Sequence, residues 1–248
     1  MGLGEVYAVV SGKGGTGKTS VCAGIATALA EGGKRVLCVD CDVGLRNLDI
    51  SLGMSDNGNL SFLDVSEYGY DLNNAPRHGI YPNLSFLTAP MNRSAEDIDP
   101  EPFTQLLYRA RSEFDFIFLD APAGVDAGFR LATGAADQFL LVTGAGPAAV
   151  RDAARVGELL ELAGKTGVRL VVNRVDKSML STVRMTIDDI MDTAGLPLAG
   201  IVLEDPHVTL AAAFSAPLLQ YASRCDAARA YRRIAQRLQG VRQPIPFR

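Results

Sequence analysis

The sequence predicts an α/β fold, a doubly wound, mostly parallel sheet with helices on both faces. Three features lead there. Short runs such as VLCVD, FIFLD and FLLVT are apolar almost throughout, as strands covered on both faces are. These runs alternate with helical patterns nearly to the end of the chain. The first run passes through a glycine-rich turn directly into a helix of small residues, a strand–loop–helix unit at the edge where such sheets gather ligands.

In chain order, strands are expected at 6–11, 35–40, 84–89, 116–120, 138–143, 170–173 and 200–203. Helical patterns fall near 18–31, 101–112, 126–135, 147–164, 184–195, 207–214 and 225–239. Pro147 suits a first helical turn, and Gly164 stops the helix that follows. The stretch 54–83 departs from this rhythm. It is rich in Asn, Gly, Asp and Tyr, with short apolar pieces such as LSFLDV, and reads as an irregular surface excursion holding one short helix. It marks no boundary, so residues 1–248 are expected to form a single domain. In the last helix Tyr231, Ile234, Leu238 and Val241 form one apolar stripe. Arg229, Arg232, Arg233 and Arg237 lie off the stripe, which predicts a docked terminal helix with a solvated basic face rather than a membrane-surface helix.

Bulk properties narrow the partners. Hydrophobic residues make up 48% of 248 positions, enough for a substantial core. Twenty-four basic against 28 acidic side chains give a net charge of −4, which argues against a broad polyanion-binding surface and hence against DNA. Cys38 and Cys41 have the spacing of a metal pair, but they end an apolar strand with no histidine or further cysteine beside them in sequence. The four cysteines, with Cys22 and Cys225, are expected to be buried and reduced. No apolar run approaches the roughly 18 residues of a membrane span, and the N-terminus runs straight into a strand with no leader pattern. A cytoplasmic location is expected.

The chemistry is concentrated in EVYAVVSGKGGTGKTS. Gly12-x-x-x-x-Gly17-Lys18-Thr19 meets the phosphate-loop pattern in the context that pattern requires. Glycines let backbone N–H groups curl around a polyphosphate at a positive helix end. Lys18 would reach the outer phosphates, Thr19 would ligate Mg²⁺ and Ser20 would bond an inner phosphate. The nucleotide contacts are therefore expected from Gly12, Lys13, Gly14, Gly15, Thr16, Gly17, Lys18, Thr19 and Ser20.

With a second lysine at Lys13, the loop resembles the deviant Walker A family, the MinD/ParA ATPases. The resemblance covers nearly the whole chain and implies a P-loop ATPase using ATP, ADP and Mg²⁺. It implies that Lys13 reaches the nucleotide of a second subunit in an ATP-dependent homodimer. In Asp40-Cys41-Asp42, the first switch by resemblance, Asp42 would hold the attacking water and Asp40 would support it. Lys13, Lys18 and Asp42 are thus the implied catalytic set. Gly-Leu-Arg-Asn-Leu-Asp at 44–49 resembles the MinD branch, which acts in placing the division septum. FIFLDAPAG at 116–124 is similar to a Walker B strand, with Asp120 in the Mg²⁺ shell beside Thr19 and Gly124 in the second switch. Asn173 is implied to read adenine, although a strand-terminal Asn also fits a turn. Ala121, Asp126 and Leu203 stand where many relatives have serine, glutamate and proline.

By the same resemblance the partners are a division inhibitor of the MinC type and a regulator of the MinE or DivIVA-linked kind. Peripheral attachment at the inner membrane face is left open, since Gln243-Pro244-Ile245-Pro246-Phe247-Arg248 is not the Lys/Phe/Leu-rich amphipathic segment of membrane-bound members. A ParA-like partition or flagellar-number ATPase is the alternative within the family. Iron–sulfur relatives are disfavoured, because 121–129 contains no cysteine and Cys225 stands alone in sequence.

Overall fold

The computed structural model describes residues 2–55, 60–183 and 185–245. The elements run β1 (Glu5–Val10), α1 (Lys18–Glu31), β2 (Val36–Asp40), α2 (Leu48–Leu52), α3 (Phe62–Ser66), β3 (Leu84–Leu87), α4 (Pro100–Ala110), β4 (Phe116–Asp120) and α5 (Ala127–Ala135). They continue with β5 (Gln138–Thr143), α6 (Pro147–Leu162), β6 (Val168–Val175), α7 (Lys177–Val183), α8 (Ile187–Ala194), β7 (Leu198–Leu203), α9 (Pro206–Ala213), α10 (Leu218–Tyr221) and α11 (Asp226–Leu238). Residues 56–59 of the surface excursion, 184 at the expected start of α8, and 246–248 of the tail lie outside the described residues.

The seven strands form one sheet in the order β3-β2-β4-β1-β5-β6-β7. Every pairing between them is parallel, so the sheet expected to be mostly parallel is wholly so among the described strands. Strand order reverses around β1, flanked by β4 on one side and β5 on the other, and a crevice opens there beyond the carboxyl ends. Alternate residues of β1 feed two cores. Val6, Ala8 and Val10 pack with the side of α4, α5, α6 and α8, whereas Tyr7 and Val9 pack with the side of α1 and α11.

Three short helices, α2, α7 and α10, went unanticipated; at 5, 7 and 4 residues they are too short to display a helical period. The excursion does hold a short helix, α3. Ser61 and Asp64 close its first turn reciprocally, each side chain accepting from the other's backbone N–H.

The final helix departs from expectation in its basic residues. Its apolar face docks on α1 and β7 through Tyr231, Ile234 and Leu238, and Val241 lies exposed beyond the helix end. Arg232 and Arg237 are engaged with other elements, whereas Arg229 stays exposed and pairs with Asp226 of its own helix. Arg232 binds both Glu31 oxygens at 2.6 and 2.8 Å, and Arg237 donates to the carbonyls of Ala199, Gln243 and Pro244. Long side chains lie along the docked helix and reach the free carbonyls at its edges. No helix among the described residues is long and apolar enough to cross a membrane.

Candidate functional site

The loop from Ser11 to Gly17 joins β1 to α1 in the central crevice. Gly15 and Gly17 adopt φ of 79° and 81°, a left-handed conformation that places successive N–H groups on the inside of the turn. Gly17 is the N-cap of α1 and no side chain caps that end, so the first-turn N–H groups remain available to an anion. Thr16 Oγ1 is buried in the same loop without a hydrogen-bond partner. An orphaned hydroxyl in a ring of N–H donors fits a phosphate-bearing ligand.

Lys18 pairs with one carboxylate, Asp120, and two more, Asp40 and Asp42, lie in the same strand-end cluster. Register places Asp40 of β2 beside Asp120 of β4, both at strand ends and both 1% exposed. Lys18 Nζ lies 2.8 Å from Asp120 Oδ1, so the lysine expected to reach phosphate is held here as half of a buried ion pair. Burial opposes its ammonium, but the charge and hydrogen bond of Asp120 outweigh that and raise its pKa. Asp40 accepts from the N–H groups of Asp42 at 2.9 Å and Leu48 at 3.2 Å. Burial, reinforced by the Asp120 charge, pushes its pKa up to about 7.

Asp42, expected to hold the water, is half-buried, and its Oδ1 accepts from Gly44 and Leu45 N–H at 3.2 Å each. Its carboxylate is thus turned onto its own loop. Thr19 is half-buried in the first turn of α1. The oxygens of Thr19 and Asp120 are hard donors, of the kind that suit Mg²⁺. Lys13 is exposed, and no side-chain hydrogen bond or ion pair from it is seen among the described residues; its carbonyl accepts from Ser11 Oγ.

The side toward β6 and β7 is built differently. Asn173, 4% exposed at the end of β6, donates through Nδ2 to the Thr16 carbonyl at 2.7 Å. It packs so closely on Gly17 that any Cβ there would clash with its amide. A cleft of about 130 Å³ opens beside it, lined by Gly17, Ser20, Asn173, Leu203, Asp205 and Tyr231 among others.

A family model for the CobQ/CobB/MinD/ParA nucleotide binding domain matches residues 7–218. The chain belongs to this family. It is 37% identical to the septum site-determining protein MinD of Synechocystis over 99% of this chain and 92% of that one. Among solved structures it is similar to the MinC:MinD cell division protein complex of Aquifex aeolicus, with a TM-score of 0.90, 32% identity and 98% coverage of each chain. MinD of Pyrococcus horikoshii, complexed with Mg-ADP, is similar with a TM-score of 0.83 and 28% identity over 95% of this chain and 96% of that one.

On this MinD/ParA-family scaffold the structure adds residues that sequence reasoning passed over or only mentioned. Arg174, at φ 56°, donates to the Gly15 carbonyl at 3.2 Å and pairs with Glu204 at 2.8 Å, bridging the phosphate loop to the end of β7. Arg46, at φ 48° in the Asp42 loop, binds Thr88 Oγ1 through Nε and Nη2. Tyr231 closes the cleft from α11 over Gly24 of α1, where any side chain would clash with its ring. A glycine inside an otherwise strong helix pattern was the one sequence signal for that close approach.

Correction is needed for one cysteine. Cys22, Cys38 and Cys41 are buried and free as expected, but Cys225 is only partly buried. It stands at the N-cap of α11, outside the apolar stripe.

Proposed function

We propose that this chain is a MinD-type ATPase that hydrolyses ATP to ADP and phosphate and acts in division septum placement, with residues 1–248 serving as one ATPase domain. Its full-length likeness to MinD proteins supports the cell-division role. The observation that carries the catalytic reading is the buried Lys18–Asp120 pair, with Asp40 in register beside Asp120 and Asp42 two residues on, next to a glycine loop that holds a buried, unpartnered hydroxyl.

The loop N–H groups and Lys18 bind the phosphates, while Thr19 and Asp120 are the oxygens that would hold Mg²⁺, which supplies positive charge against the phosphate oxygens. Phosphate is a partner that can draw the Lys18 ammonium from Asp120. Release of Asp42 from Gly44 and Leu45 frees its carboxylate to orient the attacking water. Asn173 and the cleft toward Asp205 receive the base. Lys13, exposed at the loop edge, suits a contact with the nucleotide of a second copy, and the dimer forms with ATP. A MinC-type inhibitor is the partner supported by the Aquifex aeolicus complex. A MinE-type or DivIVA-linked stimulator acts on the ATP-bound dimer.

Phosphate release tests the reading. Asp42→Ala should keep nucleotide binding and lose turnover by about 10²-fold or more, the scale of a missing water-orienting group. An unchanged rate would remove Asp42 from the mechanism.

A further inference from the structure

Asp205, His207 and Cys225 come from separate places in the sequence and meet outside the phosphate loop. Asp205 ends the β7–α9 connection, His207 lies in the first turn of α9, and Cys225 precedes α11. One ligand atom from each, carboxylate oxygen, imidazole nitrogen and thiol sulfur, lies within 4.8 Å of the other two. Among the described residues this is the only such group of three.

The side chains are positioned by the backbone. Asp205 Oδ1 accepts from the His207 N–H at 3.0 Å, and Oδ2 accepts from the Ala227 N–H at 3.1 Å. Cys225 Sγ accepts from the Ala228 N–H at 3.4 Å. His207 Nδ1 is 2.7 Å from Asp205 Oδ1. Asp205 is buried, Cys225 partly buried and His207 exposed, so the group has a fixed inner wall and an open approach. Behind it Tyr231, fully buried, carries a hydroxyl with no hydrogen-bond partner and feels the Asp205 charge.

We propose that Asp205, His207 and Cys225 form a binding site for a borderline-soft divalent cation of the zinc class, with a fourth position open to water. Oxygen, nitrogen and sulfur donors in one set suit zinc better than magnesium or calcium, which take oxygen. Donors held about 2.0–2.3 Å from one tetrahedral ion sit roughly 3.5 Å apart, so this set needs only ångström-scale adjustment, with the His207–Asp205 hydrogen bond opening as both turn to the ion. The ion displaces the Cys225 thiol proton, and the His207 ring proton moves to the nitrogen facing away from the metal. Burial and the Asp205 charge keep that thiol protonated in the metal-free chain. Burial works against the Asp205 carboxylate, but the Ala227 and His207 N–H groups hold its pKa at about 2, leaving an anion ready for the metal. Metal here would tie the β7–α9 turn to the start of α11, at the wall of the base cleft.

Cobalt(II) is the direct probe, added to tag-free protein in excess Mg²⁺ so that hard-oxygen sites are filled. The expected result is a near-ultraviolet thiolate-to-cobalt band with intense visible bands of a four-coordinate ion. Zinc should abolish both at one equivalent and raise the Tm of the wild-type chain. Cys225→Ser should lose the ultraviolet band and weaken zinc binding at least about 100-fold, while His207→Gln weakens binding and keeps the thiolate band. Neither position is in the core, and each variant's unchanged far-ultraviolet circular dichroism checks its fold. No cobalt spectrum, or an ultraviolet band that persists in folded Cys225→Ser, overturns the proposal.

Discussion

The two halves of the crevice hold their ligand-facing groups in opposite ways. On the phosphate side, the polar groups are held by exchangeable bonds: Lys18 to Asp120, Asp40 to backbone N–H groups, and half-buried Asp42 to its own loop. On the base side, Asn173 and Arg174 are fixed to the phosphate loop's carbonyls, and Tyr231 is packed against Gly24. Bonds of the first kind must be exchanged when a ligand arrives; those of the second can persist. The comparison teaches that a switch and a pocket can share one sheet edge. The switch half keeps alternative partners within reach, and the pocket half is set by packing that has no alternative.

If that contrast is right, substitutions on the phosphate side should disturb the chain most. Lys18→Ala leaves Asp120 buried without its cation, and stability should fall by about 3 kcal/mol in urea unfolding, with nucleotide binding lost. A loss below about 1 kcal/mol would mean that the pair is solvated and the contrast false.

Asp40 supplies an effect of comparable size, spread over pH. Its folded pKa of about 7 lies above the ordinary carboxylate value, so the folded chain holds a proton that the unfolded chain has released. That contribution is fully present below about pH 4 and is lost as pH rises through 7, up to roughly 4 kcal/mol. Asp40→Asn should remove this part of the slope between about pH 4 and pH 7 in urea titrations. A variant with the wild-type slope would assign the titration elsewhere.

The smallest effect belongs to the base side. Tyr231→Phe deletes a buried hydroxyl that has no partner, so stability should hold or rise by up to about 1 kcal/mol in thermal unfolding. A clear loss would show that the hydroxyl is bonded after all.

Much of this fold was legible because its signals are local. Strands such as FIFLD are apolar nearly throughout, and Gly12 to Thr19 carries loop, cap and lysine in eight consecutive residues. The parallel sheet and the loop geometry followed from such pieces. What stayed hidden depends on distant residues meeting. Lys18 and Asp120 are 102 positions apart, and Asn173 lies 157 from Thr16. Sequence marks both ends of each pair as polar loop-edge residues but cannot say that Lys18 is paired with Asp120. Cys225 was read as a lone thiol for the same reason, since folding brings Asp205 and His207 to it across an intervening helix. Arg232 and Arg237 of α11 looked solvated because their acceptors, Glu31 and the Ala199 carbonyl, belong to other elements.

The second lysine carries the account's central claim, that two chains close on two nucleotides. Light-scattering mass with Mg-ATP, read beside Mg-ADP and for Lys13→Ala, tests it most directly. The account predicts about twice the monomer mass with ATP alone, and a monomer for the variant even though it still binds nucleotide. A wild-type chain that stays monomeric with ATP bound, or a Lys13→Ala chain that dimerises like wild type, would contradict it.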